Sequence, residues 1–221
     1  NDVGGEAASR CEEILTRMEE STSVIPNLVA YVTSISAWAR TNGVDYAASR
    51  AENILNRMID LYYSEDQADL PILDGDVKNA SHDAPFNSVI TAYARSSDSY
   101  AAERALAVLQ RLEASPISPT ATTYNAVMDC CAKHGEPERA LEIFNRMQEM
   151  SIPKDSTSYD TVLNAFARDK KAGSAERAYD FLCQLEEEHS SGESNFIPSS
   201  LSYATVINAF ARCSGESYGG L

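Results

Sequence analysis

Five segments of this chain of 221 residues begin with an aromatic residue and then continue alike. No other feature restricts the fold as tightly, because self-similarity at a spacing of a few tens of residues is the mark of a stacked repeat. The segments run Tyr31–Arg40, Phe86–Arg95, Tyr124–Lys133, Tyr159–Arg168 and Tyr203–Arg212, with aromatic-to-aromatic spacings of 55, 38, 35 and 44. Each has a bulky apolar residue four positions after the aromatic and a small residue six after. The residue at plus seven is usually aromatic, plus eight is Ala, and plus nine is Arg or Lys. Apolar residues at plus four, seven and eight lie on one face of a helix.

A second type of helix alternates with the first. It reads Arg10–Met18, Arg50–Met58, Arg104–Leu112, Arg139–Met147 and Arg177–Leu185, each with a small residue after the first Arg and a Met or Leu at its end. Pro26, Pro119, Pro153 and Pro198 punctuate the return to the next first-type helix, and Pro85 stands closer to its helix than the others. The pattern predicts an all-α fold, a right-handed α-solenoid of stacked helix-turn-helix repeats of about 35 residues, with extended turns and insertions. Four complete pairs are expected, at 28–82, 83–120, 121–155 and 156–199. Segment 1–27 reads as the second helix of one partial repeat and 200–221 as the first helix of another. Apolar stacking surface at both ends and a first residue other than Met suggest a piece of a longer chain, with any targeting segment outside it.

The 121–155 segment resembles a pentatricopeptide repeat. The resemblance rests on the Thr-Tyr-Asn opening at 123–125, the Gly135 turn, the Ala-Leu-Glu-Ile-Phe-Asn-Arg-Met run at 140–147 and the length of 35. It extends more loosely over nearly the whole chain. The tetratricopeptide signature, with its Trp-x-x-Leu-Gly-x-x-Tyr run, is not found in the first helices. The resemblance implies a reader of single-stranded RNA, one base per repeat, in a mitochondrion or plastid. It places the residue after the aromatic and the residue closing the repeat against a base edge. The pairs are Val32 with His82, Asn87 with Thr120, Asn125 with Asp155, and Asp160 with Ser199, while Asn27 and Ala204 belong to the partial repeats. Asn125 with Asp155 matches the family combination for uridine. Val32 and Ala204 have nothing to donate or accept, and an ionised Asp160 accepts only. Val29, Ala84, Thr122, Thr157 and Leu201 would flank the bases.

The resemblance also sets the cation at plus nine against the RNA backbone: Arg40, Arg95, Lys133, Arg168 and Arg212. A helix C-terminus favours a cation without any ligand, so capping is the competing explanation. The charge balance raises the same issue. With 33 Asp and Glu against 18 Lys and Arg, the net charge of −15 repels phosphate over the molecule as a whole. Only Asp129 and Asp160 fall within first helices, however. Most carboxylates lie on second helices, on the insertion with Glu65, Asp66, Asp69, Asp74 and Asp76, and on 186–193, where solvation is expected.

No apolar run is long enough to span a membrane. The five cysteines show no CxxC pair and suit a reducing compartment. His82, His134 and His189 lack partners at nucleophile or metal spacing, and no Gly-rich phosphate loop occurs, so neither catalysis nor a cofactor is expected. A protein-binding scaffold within an RNA- or ribosome-associated assembly is the alternative use of such a surface.

Overall fold

In the computed structural model, residues 3–41, 44–62, 82–192 and 196–216 are described. Among them are ten α-helices and no strand, an all-α helical-repeat fold. The acidic residues expected on the 64–82 insertion, and Glu193, lie outside the described residues.

The chain divides into two compact units, Asn1–Pro119 and Thr120–Leu221. The first holds α1 (Val3–Glu19), α2 (Leu28–Ala39), α3 (Ala47–Tyr62), α4 (Ala84–Arg95) and α5 (Ala101–Glu113). The second holds α6 (Ala121–Lys133), α7 (Pro137–Glu149), α8 (Ser156–Arg168), α9 (Ser174–Ser191) and α10 (Ser200–Glu216). Each unit follows one packing rule. A first helix packs against the second helix of its own repeat, as in α2 on α3 and α6 on α7. It also packs against the next first helix, as in α2 on α4, α6 on α8 and α8 on α10.

The repeated sequence positions explain the rule. The opening aromatics Tyr31, Phe86, Tyr124 and Tyr159 are buried, as are the plus-four residues Ile35, Ile90, Met128 and Leu163. On the second helices Ala51, Ala105, Ala140 and Ala178, next to the first Arg, are buried. Their small volume lets the facing helix approach, and the Met or Leu closing the run fills the space beside them. In the second unit Phe144 meets Tyr159 and Phe181 edge-on, with ring centroids 5.1 and 5.7 Å apart.

The recurrent Arg and the recurrent aromatic at plus seven prove to be one device. Arg50 stands over Trp38, Arg104 over Tyr93 and Arg177 over Phe166, at 6.0, 6.0 and 5.5 Å from the ring centroids. The 121–155 repeat has Cys131 at plus seven, and there Arg139 pairs with Glu136 at 2.7 Å instead.

The acid of the second helices is not all solvated. Glu12 on α1 accepts from Trp38 Nε1 at 2.9 Å and faces Arg50 and Arg57 at 3.3 and 3.5 Å. Glu19 accepts the Tyr31 hydroxyl at 2.8 Å and pairs with Arg57. One repeat later, Glu52 accepts from Tyr93 and faces Arg111. Burial, then the Glu52 carboxylate that takes its hydrogen bond, push the Tyr93 phenol up. These carboxylates join one repeat to the next. Turn chemistry is local: Gly135, at φ 73°, ends α6 in the left-handed region, and the Glu136 N–H reaches back to the Cys131 carbonyl at 2.9 Å.

Candidate nucleic-acid interface

Positions one, five and nine after the aromatic share one helical face, on which Asn125 is buried and the other residues are half-buried or exposed. The stripe reads Val32, Ser36 and Arg40 on α2, then Asn87, Thr91 and Arg95 on α4. In the second unit the same positions are Asn125, Asp129 and Lys133 on α6, Asp160, Asn164 and Arg168 on α8, and Ala204, Asn208 and Arg212 on α10. Within the first unit, Ser36 on α2 lies 3.4 Å from Ser88 on α4, hydroxyl to hydroxyl.

In the second unit the closing residues Thr120 and Asp155 are the N-caps of α6 and α8. Asp155 caps α8: its Oδ1 accepts the Ser158 N–H at 2.8 Å, and the Ser158 hydroxyl accepts the Asp155 N–H at 3.2 Å. The same Oδ1 takes Asn125 Nδ2 at 3.0 Å, so the predicted pair is brought together directly. Burial would raise the Asp155 carboxyl. The bonds from Ser158, Asn125 and Thr157 outweigh it and hold the group below its ordinary value. Among the described residues, Asn125 Oδ1 is buried without a protein partner, as is Asn87 Oδ1 on α4.

The next junction repeats the arrangement with the charge moved. Asp160 Oδ1 accepts the Ser202 hydroxyl at 2.8 Å, and Ser202 lies 3.2 Å from the hydroxyl of Ser199, the predicted partner. Asp160 and Ser199 are therefore joined through Ser202. Sequence reading missed Ser158 and Ser202. The signal was a polar residue directly before the aromatic, three after the cap, as in a capping box. Asn27 caps α2 by accepting the Ala30 N–H at 3.0 Å. Thr120 is exposed at the cap of α6. His82 does not hold this place: it is an exposed turn residue, and Asp83 is the N-cap of α4, with Pro85 in the first turn. Val32 is half-buried on α2. Of the expected base-flanking residues, Val29, Thr122, Thr157 and Leu201 are exposed and Ala84 is half-buried.

The five cations divide by environment. Arg95 donates to the Ala39 carbonyl at 3.3 Å and Arg212 to the Ala167 carbonyl. In both, the plus-nine guanidinium caps the C-terminal end of the preceding first helix. Lys133 pairs with Asp129 at 2.7 Å. Arg40 and Arg168 are exposed and hold no ion pair among the described residues. Between α8 and α10, Asn164, Arg168, Thr205, Asn208 and Arg212 line a groove of about 440 Å³.

Tyr203 and Phe210 on α10 lie at positions that are buried in the other repeats but are themselves partly exposed, because no second helix lies over α10 among the described residues. Cys130 and His134, four residues apart, are in contact, with Sγ 3.8 Å from Nδ1. That ring nitrogen serves the Cys130 carbonyl at 2.9 Å, and burial pushes the Cys130 thiol up, opposite to what a nucleophile needs. Among the described residues no cluster suits a metal ion, and no helix is long and apolar enough to cross a membrane.

Residues 119–168 match the family model described as PPR repeat family, and residues 84–134 match that of the pentatricopeptide repeat domain. No curated protein matches. A crystal structure of the pentatricopeptide repeat protein PPR10 from maize aligns with a TM-score of 0.62 and 22% identity. A structure of PPR10 in complex with an 18-nt psaJ RNA element aligns with a TM-score of 0.62 and 16% identity. Each alignment covers 93% of this chain and 25% of PPR10, so the chain spans about a quarter of the length of those solved proteins.

Proposed function

The chain belongs to the pentatricopeptide repeat proteins, and from that premise we propose that its first-helix stripe binds single-stranded RNA. The observation that carries the reading is the Asn125–Asp155 hydrogen bond. It holds a base-facing amide and the closing carboxylate of the repeat as one unit, with acceptors suited to the imino N–H of uridine. The exposed Arg40 and Arg168 supply backbone contacts, the exposed side chains Val29, Thr122, Thr157 and Leu201 flank bases, and PPR10 crystallises with an RNA element. The role is binding, not catalysis, in an organellar RNA-processing, stability or translation factor.

Asp160 presents an acceptor where Asn125 presents both kinds of group, so the α8–α10 step prefers a base with an amino donor. Fluorescence anisotropy against short single-stranded RNAs, at several salt concentrations, tests the proposal. Binding should weaken with salt and on Arg168→Glu, and uridine opposite the α6 repeat should be preferred. No binding at low salt, or binding indifferent to Arg168→Glu, refutes it. A protein captured without RNA would then favour the scaffold reading.

A further inference from the structure

In the second unit a buried serine directly before the aromatic serves a carboxylate, whichever helix carries that carboxylate. Ser158 donates its hydroxyl at 3.0 Å to Oδ1 of Asp155, which closes a repeat. Ser202 donates at 2.8 Å to Oδ1 of Asp160, which stands on the first helix α8. In the first unit the same place holds Ala30 and Pro85, whose side chains have no proton to give.

Counting protons then decides what the α8–α10 step can offer. A serine hydroxyl has a single proton, and that of Ser202 lies on the bond to Asp160, because a carboxylate can only accept. In its contact with the Ser199 hydroxyl at 3.2 Å, Ser202 is therefore the acceptor, which commits the Ser199 proton as well. Ser199 Oγ also accepts the Ser202 N–H at 3.3 Å. What remains is a lone pair on the exposed Ser199 and the second carboxylate oxygen of the half-buried Asp160, acceptors both. At the α6–α8 step, by contrast, the Asn125 amide keeps a donor beside its acceptor.

We propose that Ser202 is a positioning residue that makes the α8–α10 step a site for guanine. The inference rests on the stripe binding single-stranded RNA and deepens that reading. Guanine carries neighbouring donors on its pairing edge, the N1 imino and N2 amino groups, so it can meet Asp160 and Ser199 with a donor each. Cytosine and adenine set a ring-nitrogen acceptor beside their amino group, and uracil flanks its imino group with carbonyls. Each of these brings an acceptor against an acceptor.

Fluorescence anisotropy of the full chain tests this with an oligouridine carrying a single guanine, cytosine or adenine at each position in turn. Guanine at one position should bind about tenfold more tightly than uridine there. Ser202→Ala, checked for helicity by circular dichroism, frees the Ser199 proton and loosens Asp160. The guanine preference should then fall to within about twofold, with affinity for plain oligouridine unchanged. Ser202→Thr keeps the hydroxyl and should keep the preference; Thr123 already fills the equivalent buried place on α6. Asp160→Asn leaves the core untouched, restores a donor to the step and should remove the preference by a second route. Binding without a guanine preference at any position overturns the proposal and leaves the RNA reading standing. So does a preference that survives Ser202→Ala or Asp160→Asn. Failure to bind any of these strands overturns both.

Discussion

Asp155→Ala removes two things at once, and the structure sets the size of the loss. The carboxylate caps α8 through Ser158, and loss of such a cap costs about 1 kcal/mol, with a range of about 0.5–2. It also accepts from Asn125 at 3.0 Å; that bond adds about 0.5–1 kcal/mol, near the low end because Asp155 is itself exposed. The expected destabilisation is about 1.5–2 kcal/mol at neutral pH, read from urea denaturation followed by circular dichroism. Asp155→Asn keeps an N-capping side chain and should cost under about 1 kcal/mol. The pH dependence follows from the direction of the shift. The folded carboxyl titrates below its unfolded value of about 3.9, so its contribution is fully present above that pH and fades as pH falls through the folded value. The gap between wild type and Asp155→Ala should therefore narrow in acid. A loss under about 0.5 kcal/mol at neutral pH, or a gap unchanged in acid, refutes the assignment of Asp155 as a charged cap.

Arg212→Ala should lower thermal stability by about 0.5–1.5 kcal/mol, since it strips a donor from the Ala167 carbonyl, whereas Arg168→Ala should leave stability within about 0.5 kcal/mol of wild type. Gly173→Ala should cost about 1–2 kcal/mol in the same melt, because its φ of 82° is left-handed although the space beside it is open. Brief alkylation at pH 8, mapped by mass spectrometry, should spare Cys130 and Cys131 until the protein unfolds. Burial pushes both thiols up, Cys131 to about 12, and the thiolate is the reactive form.

The repeat pattern made the fold legible because burial acts position by position. The apolar plus-four position packs wherever neighbouring helices cover it, as at Ile35, Ile90, Met128 and Leu163, and is exposed at Ile207 on α10. The Arg opening each second helix was visible as a pattern, but its purpose was not. Its ring partner lies a dozen or so residues earlier, and nothing in the helical period connects Arg50 to Trp38. The contact of Asn125 with Asp155 is readable from the sequence because it joins the two ends of one repeat. Contacts made by a local device are not: Ser202 bridges Asp160 to Ser199, and Asp83, the residue after His82, is the N-cap of α4. Tyr203 and Phe210 carry the apolar signature of the core, but a signature states what a side chain would bury against and not whether that neighbour is there.

The division among the plus-nine cations bears on how strongly a polyanion is gripped. A tally along the chain promises five phosphate contacts, and for a single strand that corresponds to a log–log salt slope of about −3.5. Arg95 and Arg212 are already committed to the carbonyls of Ala39 and Ala167, and Lys133 to Asp129. Arg40 and Arg168 alone would give a slope of about −1.4. The stretch would then hold its strand loosely enough to let go within the ordinary range of cellular salt, and base identity would have to supply the discrimination that charge does not.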